Sequence, residues 1–392
     1  MLEAVTAPPP DAILKIMRAF AEDARPGKID LGVGVYRDAA GTTPVMRAVR
    51  AAERRIWEAE RTKGYTALSG DPAFLATISE LVLGDVAATR LAAVATPGGT
   101  GAVRQAVDLI GMTAPAACLH VSAPTWPNHL SILQATGRPH RAYRYLDAAS
   151  GGLDRAGMLE DLAQANPGDA VLLHGCCHNP TGVDFAAGDW AEIAALCAGR
   201  RLLPVVDLAY QGFGDGVVAD VAGLRAMAEA VPEMIVCVSG SKSFGLYRER
   251  VGAVLALCPE GARDAVAARL AGLNRQAYAF PPDHGARIVT DLLADASLRA
   301  DWEAELAGMR ARIGEMRQAL AEALAAETRS DRFGFLTAQR GMFSLIGATP
   351  AEVARLREEH ALYMVEDGRI NVAGLTHETV GPAARAIAAV LG

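Results

Sequence analysis

The amino-acid sequence reads as an α/β protein: a large domain built on a mostly parallel sheet between helices, followed by a smaller α/β unit. Three observations carry this reading. Short apolar runs at 94–96, 118–122, 170–173, 202–207, 235–238 and 252–257 alternate with helical patterns, as in βαβ units whose strands are buried on both faces. Leu298, Trp302, Leu306, Met309, Ile313, Met316, Leu320 and Leu324 then recur at intervals of three and four, which makes one long amphipathic helix. Finally, 392 residues with 51% hydrophobic and 21% charged side chains suit a folded chain with one large core and a smaller one.

The elements follow in order. After the proline run Pro8 to Pro10, Asp11 is placed to cap a helix whose apolar face is Ile13, Leu14, Ile16, Met17 and Phe20. The segment KIDLGVGVYRDAAGTTP joins β-branched residues to Gly32 and Gly34, a short strand and a loop where backbone must approach something closely. From about Val45 to Cys258 the βα alternation runs, with right-handed crossovers between its parallel strands. The long helix bridges to a second unit from about Phe333, where RFGFLT, GMFSLIG, the helix AEVARLREEH, the strand LYMVEDGRINVAG and a last helix follow.

Composition excludes several functions. A net charge of −7 leaves no basic footprint of the kind that neutralises phosphates, which argues against nucleic acid as a partner. No apolar run reaches the roughly 18 residues of a membrane span, and MLEAVTAPPPD lacks the basic start and apolar stretch of a signal peptide. The expected compartment is the cytoplasm, with no membrane partner. Six cysteines, at 118, 176, 177, 197, 237 and 258, include no CxxC pair and read as buried reduced thiols. Cys176 and Cys177 stand beside His174 and His178, but the spacing matches no structural zinc pattern, so no metal is expected.

In an open parallel sheet, ligands bind beyond the carboxyl ends of the strands, so what each strand ends in is informative. The first ends in TPGGTGAVRQAV, whose Gly98, Gly99, Thr100 and Gly101 open a helix; its free N–H groups favour an anion, although a glycine-rich turn also serves tight packing. The second ends in SAPTWPNH and offers Trp126, Asn128 and His129, the tryptophan reading equally as core or as a platform. The third runs into HGCCHNPTG, a rigid turn able to hold the Asn179 amide outward. The fourth drops Asp207 after an apolar run, with Tyr210 three residues on; such a carboxylate must be paired. The fifth supplies Ser239, Ser241 and Lys242, with Arg250 just beyond. An amine, a carboxylate, an amide, a phenol, an aromatic plate and an anion turn on one sheet edge fit a pyridoxal phosphate site, where lysine forms a Schiff base and an acid partners the ring nitrogen. A lysine must be neutral to attack an aldehyde, which desolvation and the charge of Arg250 favour.

At these residues the chain resembles the class I aspartate and aromatic amino acid aminotransferases of fold type I. The likeness runs through LGVGVYRD, YTALSGDPAF, TPGGTGAVRQA, PTWPNH, LLHGCCHNPTG, DLAYQGFGDG, SGSKSFGLYRERVG, NRQAYAFPPDHGA, GMFSLIG and GRINVAGLT, in that order. It implies a seven-stranded sheet and four segments: an arm at 1–10, part of the small domain at 11–43, the large cofactor-binding domain at 44–308 and the rest of the small domain at 309–392. It implies that Lys242 bonds the cofactor and then carries the proton between the substrate α-carbon and the cofactor. Asp207, oriented by His129 with His174 nearby, would keep the pyridine nitrogen protonated. Asn179 and Tyr210 would bond the phenolic oxygen and Trp126 would stack on the ring. Gly99, Thr100, Ser239, Ser241 and Arg250 would hold the phosphate, joined by Tyr65 of the other subunit. Arg369 would take the substrate α-carboxylate, with Gly34, Trp126, Asn179 and Phe343 around it, and Arg275 of the other subunit would meet a distal carboxylate. The implied assembly is a homodimer sharing Tyr65 and Arg275, and the small domain would close over substrate.

The implied reaction is ping-pong transamination between 2-oxoglutarate and aromatic amino acids or aspartate. Gly98 stands where many relatives carry serine, and Gly240 replaces a bulkier residue. Phe280 occupies the place of a small polar residue that anchors the distal-carboxylate arginine in aspartate-selective relatives; a looser Arg275 favours dual specificity over aspartate alone. A fold type I lyase or decarboxylase would share Lys242 and Asp207 but would not need Arg275. An aminotransferase-like ligand sensor would want a helix-turn-helix or basic patch, and a Rossmann binder would want GxGxxG in place of PGGTG.

Overall fold

The computed structural model describes residues 1–7, 11–86 and 88–392, so Pro8 to Pro10 of the expected arm lie outside the described residues. The chain divides into two units, one of Pro44–Ala311 and one of Met1–Thr43 with Arg312–Gly392.

The larger unit is built on seven strands: β1 (Leu91–Pro97), β2 (Leu119–Ala123), β3 (His140–Arg144), β4 (Ala170–His174), β5 (Leu203–Leu208), β6 (Met234–Ser239) and β7 (Val251–Leu257). Their order is β1-β7-β6-β5-β4-β2-β3. Strands β3, β2, β4, β5 and β6 pair in parallel, while β7 runs antiparallel to both β6 and β1. The central strands are buried along their whole length, which is why their sequences are continuous apolar runs without alternation. Strand β3, HRAYR, is the one the hydrophobic pattern passes over. It lies at the sheet edge with only Tyr143 buried, so its composition is polar.

On one face of the sheet, Val103, Val107 and Ile110 of the helix α1 (Gly98–Thr113) join Val94, Leu119 and Val121 in a single core. Helix α2 (Pro127–Ala135) follows β2, and helix α3 (Arg263–Ala277) follows β7. The long helix α4 (Ala296–Thr328) contains the boundary between the units, and the apolar residues that announce it in the sequence are buried.

In the smaller unit, Met316, Leu320 and Leu324 of α4 pack with Leu31, Ile370 and Ile387. Its strands form two short pairs: Ile29–Asp30 runs parallel to Leu362–Tyr363, and Phe343–Leu345 antiparallel to Arg369–Asn371. The Asp11 carboxylate caps the first helix through the Ile13 and Leu14 N–H groups. The segment LYMVEDGRINVAG is not one strand as its composition suggests. It breaks at a turn in which Gly368 takes φ 84° and the Asp367 carboxylate accepts the Arg369 N–H, re-aiming Arg369 onto a second strand. Among the described residues no helix is long and apolar enough to cross a membrane.

Candidate active site

The sheet of the larger unit gathers its chemistry at the carboxyl ends of β2, β4, β5 and β6. Lys242 lies three residues past the end of β6, in a turn closed by the Gly245 N–H to the Lys242 carbonyl at 2.9 Å. The turn is held from both flanks. Ser243 Oγ donates to the Gln211 carbonyl at 2.7 Å, and Trp302 Nε1 of α4 donates to the Ser243 carbonyl at 2.7 Å. Beside it, Phe244 stacks on Trp302 with centroids 4.8 Å apart. Gly240 finds its reason here: a Cβ would sit 3.1 Å from both Cβ and Cγ1 of Val251, so the bare backbone lets β6 and β7 close up ahead of the lysine.

The Lys242 amine lies 4.8 Å from the centre of the Tyr210 ring. Burial lowers its pKa, Asp207 pulls it back up and Arg250 presses it down again, leaving it at about 8 against an ordinary 10.5. The amine is thus poised to exist as the neutral nucleophile at mildly basic pH.

Asp207 is buried on β5, and burial alone would raise its pKa; the His129 hydrogen bond and the positive fields of His129 and Lys242 outweigh that and hold it below the usual carboxylate value. His129 Nε2, on α2 and fully buried, meets Asp207 Oδ2 at 2.9 Å. A residue that sequence reasoning missed extends the chain of contacts. The Thr125 hydroxyl bridges His129 Nδ1 at 2.9 Å and His174 Nε2 at 3.2 Å. Burial drives the His174 pKa down to about 3, with the charge of His129 adding to the effect, so His174 is neutral at working pH. Trp126 stands edge-on to His129 with centroids at 5.1 Å.

The loop bearing Asn179 is anchored by Asp184, whose two carboxylate oxygens accept the Cys177 and His178 N–H groups at 2.7 and 2.9 Å. Both nitrogens of His178 are occupied by hydroxyls, Ser122 at 3.0 Å and Thr181 at 2.9 Å, and its ring stacks on Tyr145. These contacts give His174 and His178 structural work beside the vicinal cysteines. Asn179 and Tyr210 are both buried at their strand ends.

At β1, Gly98 adopts φ 71° as the strand turns into α1, a conformation that glycine takes without strain. A Cβ there would lie 2.3 Å from Arg250 Nη2, so the glycine also makes room for the guanidinium. Arg250 itself has φ 55° and donates through Nη1 to Ser241 Oγ at 3.2 Å and to the Tyr247 carbonyl at 3.1 Å. Ser239 Oγ accepts the Ser241 N–H at 3.3 Å, and a Cβ on Gly99 would meet the Ser239 Cβ at 2.8 Å. Gly98, Gly99, Ser239, Ser241 and Arg250 therefore form one tight cluster at the N-terminus of α1, next to Thr100.

Tyr65 and Arg275 belong to the same unit but face outward. Tyr65 is 87% exposed and stacks on Phe280 with centroids at 4.6 Å, and Arg275 is exposed in the last turn of α3. The remaining candidates lie in the smaller unit and come together there. The Arg369 guanidinium sits 4.4 Å over the Phe343 ring and its Nη2 donates to the Gly32 carbonyl at 3.0 Å; a Cβ on Gly34 would be 3.1 Å from Phe343 Cζ. Phe343 is itself shelved by the buried Arg317, which donates to the Phe343 and Gly341 carbonyls and to Ser344 Oγ.

The family model for aminotransferase class I and II matches residues 26–387 of the chain. The aromatic-amino-acid aminotransferase of Paracoccus denitrificans is 53% identical over 380 residues, 96% of each chain. A solved structure of an aromatic amino acid aminotransferase with 3-indolebutyric acid superposes with a TM-score of 0.97 at 52% identity, covering 100% of both chains. The aromatic-amino-acid aminotransferase of Burkholderia pseudomallei, covalently bound to pyridoxal phosphate, matches with a TM-score of 0.97 at 43% identity, again over 100% of both.

Proposed function

The chain belongs to the aminotransferase class I and II family, and from that premise we propose that it is a pyridoxal-phosphate-dependent transaminase for aromatic amino acids and aspartate, with 2-oxoglutarate as amino acceptor. The observation that carries the reading is Lys242: an amine brought down to about 8, 4.8 Å from the Tyr210 ring and held electrostatically between Asp207 and Arg250.

The residues suit the cofactor. Gly98, whose missing Cβ leaves the Arg250 guanidinium its space, begins a cradle of backbone N–H groups, hydroxyls and one cation that matches a phosphate dianion. Asp207, kept ionised by His129, matches a pyridinium. Asn179 and Tyr210 match a phenolate oxygen, and Trp126 offers a ring face. When bound, pyridoxal phosphate supplies an electron sink for the bond to the substrate α-carbon. What the chain adds is positional. Lys242 would hold the covalent attachment and, once displaced by the substrate amine, would take the α-proton on its neutral nitrogen and deliver it to the cofactor. Arg369, aimed by Phe343 and the Gly32 carbonyl, grips the substrate carboxylate as a fork.

The same reading makes the protein a homodimer in which Tyr65 reaches the neighbour's phosphate and Arg275 the neighbour's distal carboxylate. The exposure of both side chains supports this, because each needs a partner to act on. Phe280, stacked on Tyr65 near Arg275, supports acceptance of aromatic rings as well as carboxylates.

Two measurements test the proposal. Purified protein should absorb in the visible, and borohydride should fix a pyridoxyl group on Lys242; a colourless protein with Lys242 unmodified overturns it. Arg275→Leu should lower kcat/KM for aspartate at least tenfold, about 1.4 kcal/mol, while leaving phenylalanine within a fewfold. Equal losses for both would make Arg275 a structural residue.

A further inference from the structure

Beneath the exposed rim of the larger unit lies a buried polar cluster that the reaction does not use. Asn274, with no exposed surface, is the residue before Arg275 in the last turn of α3. Its Nδ2 donates to two carbonyls, Leu68 at 2.8 Å and Ala95 at 3.0 Å. Those two donations fix the direction of the amide, so its Oδ1 must face the other way. There it accepts from Gln105 Nε2 at 2.8 Å and from the Tyr278 hydroxyl. Gln105 Nε2 also lies 3.2 Å from the Tyr278 oxygen. All four hydrogen-bonding sites of the Asn274 side chain are thereby used.

The partners are not arbitrary places in the fold. Leu68 is three residues from Tyr65. Ala95 is in β1, two residues before its end at Pro97, and its N–H binds the Ser69 carbonyl at 2.7 Å. Gln105 is on α1, the helix whose N-terminus carries Gly99 and Thr100. Tyr278 follows the last residue of α3 and leads through Ala279, at φ 66°, to Phe280 under the Tyr65 ring. Tyr65 and Arg275 are thus exposed side chains on segments pinned by one buried amide.

We propose that Gln105, Asn274 and Tyr278 are positioning residues that set the placement of Arg275 and, through it, the discrimination between dicarboxylic and aromatic substrates. The inference rests on the reading of Arg275 as the distal-carboxylate arginine. Gln105 contributes most distinctively. Its Oε1 is buried with no hydrogen-bond partner, so the side chain keeps an unmet acceptor while supplying Asn274 with a donor. A residue retained only for stability would be poorly chosen, because an apolar side chain of similar size would remove that cost.

The test uses the holoenzyme and three variants, Gln105→Leu, Tyr278→Phe and Arg275→Leu, assayed with aspartate and with phenylalanine alongside thermal melting. Gln105→Leu should melt no lower than the parent, yet raise KM for aspartate by roughly two- to tenfold, the worth of one net hydrogen bond, with kcat for phenylalanine unchanged. Tyr278→Phe should shift the same ratio in the same direction. If Arg275→Leu separates the two substrates and neither network variant does, the positioning role is overturned. Parallel changes for both substrates in the network variants, or changes that merely track melting temperature, overturn it as well. If Arg275→Leu fails to separate the substrates, the reading of Arg275 itself falls.

Discussion

The floor of the site and its outer rim are built on opposite terms. On the floor, Asp207 is buried and tied through His129 to Thr125 and His174, and the Lys242 turn is locked by Ser243 and Trp302. Asp207 there is in direct contact with the His129 that tunes it, and Lys242 lies within the fields of Asp207 and Arg250. At the rim, Tyr65 and Arg275 are exposed, and what holds them is one step removed, in the Asn274 cluster and the Phe280 ring. The floor fixes chemistry, which every substrate shares, whereas at the rim Arg275 fixes selectivity, which requires a side chain able to meet different ligands. Substitutions on the floor should therefore cost all substrates alike, and substitutions at Arg275 and its supports should separate them.

The sharpest break in the floor is Asp207→Ala. It removes the carboxylate that pairs with a protonated ring and leaves His129 Nε2 without its partner. Loss of one preorganised electrostatic contact at a reacting centre costs about 10²–10³ in kcat, and the loss should be the same within error for aspartate and phenylalanine. Steady-state kinetics with both substrates checks this. A substrate-selective effect would erase the distinction between floor and rim.

A second prediction concerns protonation. In the apoprotein the Lys242 amine titrates at about 8, against an ordinary 10.5. Between those values the unfolded chain binds a proton that the folded chain has released, so stability rises with pH across that window; the cost is fully present below pH 8. Rates of Lys242 labelling by an amine reagent should follow the neutral fraction, with a midpoint near 8. Arg250→Met, which removes a neighbouring positive charge, should raise the midpoint, and Asp207→Asn should lower it, each by about a unit or more. A midpoint that moves in neither variant would mean that burial alone sets the value. Equivalent changes at Arg275 should leave the midpoint in place.

The sequence made the floor far easier to read than its supports. Lys242, Asp207, Asn179 and the glycine turn each end a buried strand, and a buried strand is a continuous apolar run that breaks visibly where chemistry begins. The long helix was legible for the same reason, through its three-four spacing. Strand β3 was not, because an edge strand with one buried residue carries little hydrophobic signal. Thr125 was passed over because a lone hydroxyl has no periodicity, and only the fold brings His129 and His174 to either side of it. Gln105 and Asn274 stand 169 residues apart and meet only once α1 and α3 lie on the sheet. Gly240, where the resemblance expects a bulkier residue, needed the position of Val251 to make sense.

The smallest expected effect tests how far the floor extends. Thr125→Val keeps the volume near that of threonine but deletes the hydroxyl that meets both His129 Nδ1 and His174 Nε2. Two buried ring nitrogens would lose this contact, at a cost of about 1–3 kcal/mol in stability. The kinetic consequence passes through His129 to Asp207, so it should be a drop in kcat of roughly two- to tenfold, the worth of one net hydrogen bond. KM for either substrate should stay near its parent value, because no contact to substrate is removed. Thr125→Ser, which restores a hydroxyl, should recover most of the loss. If serine fails to rescue while valine lowers kcat, threonine serves packing at that position, and the tuned floor ends at His129.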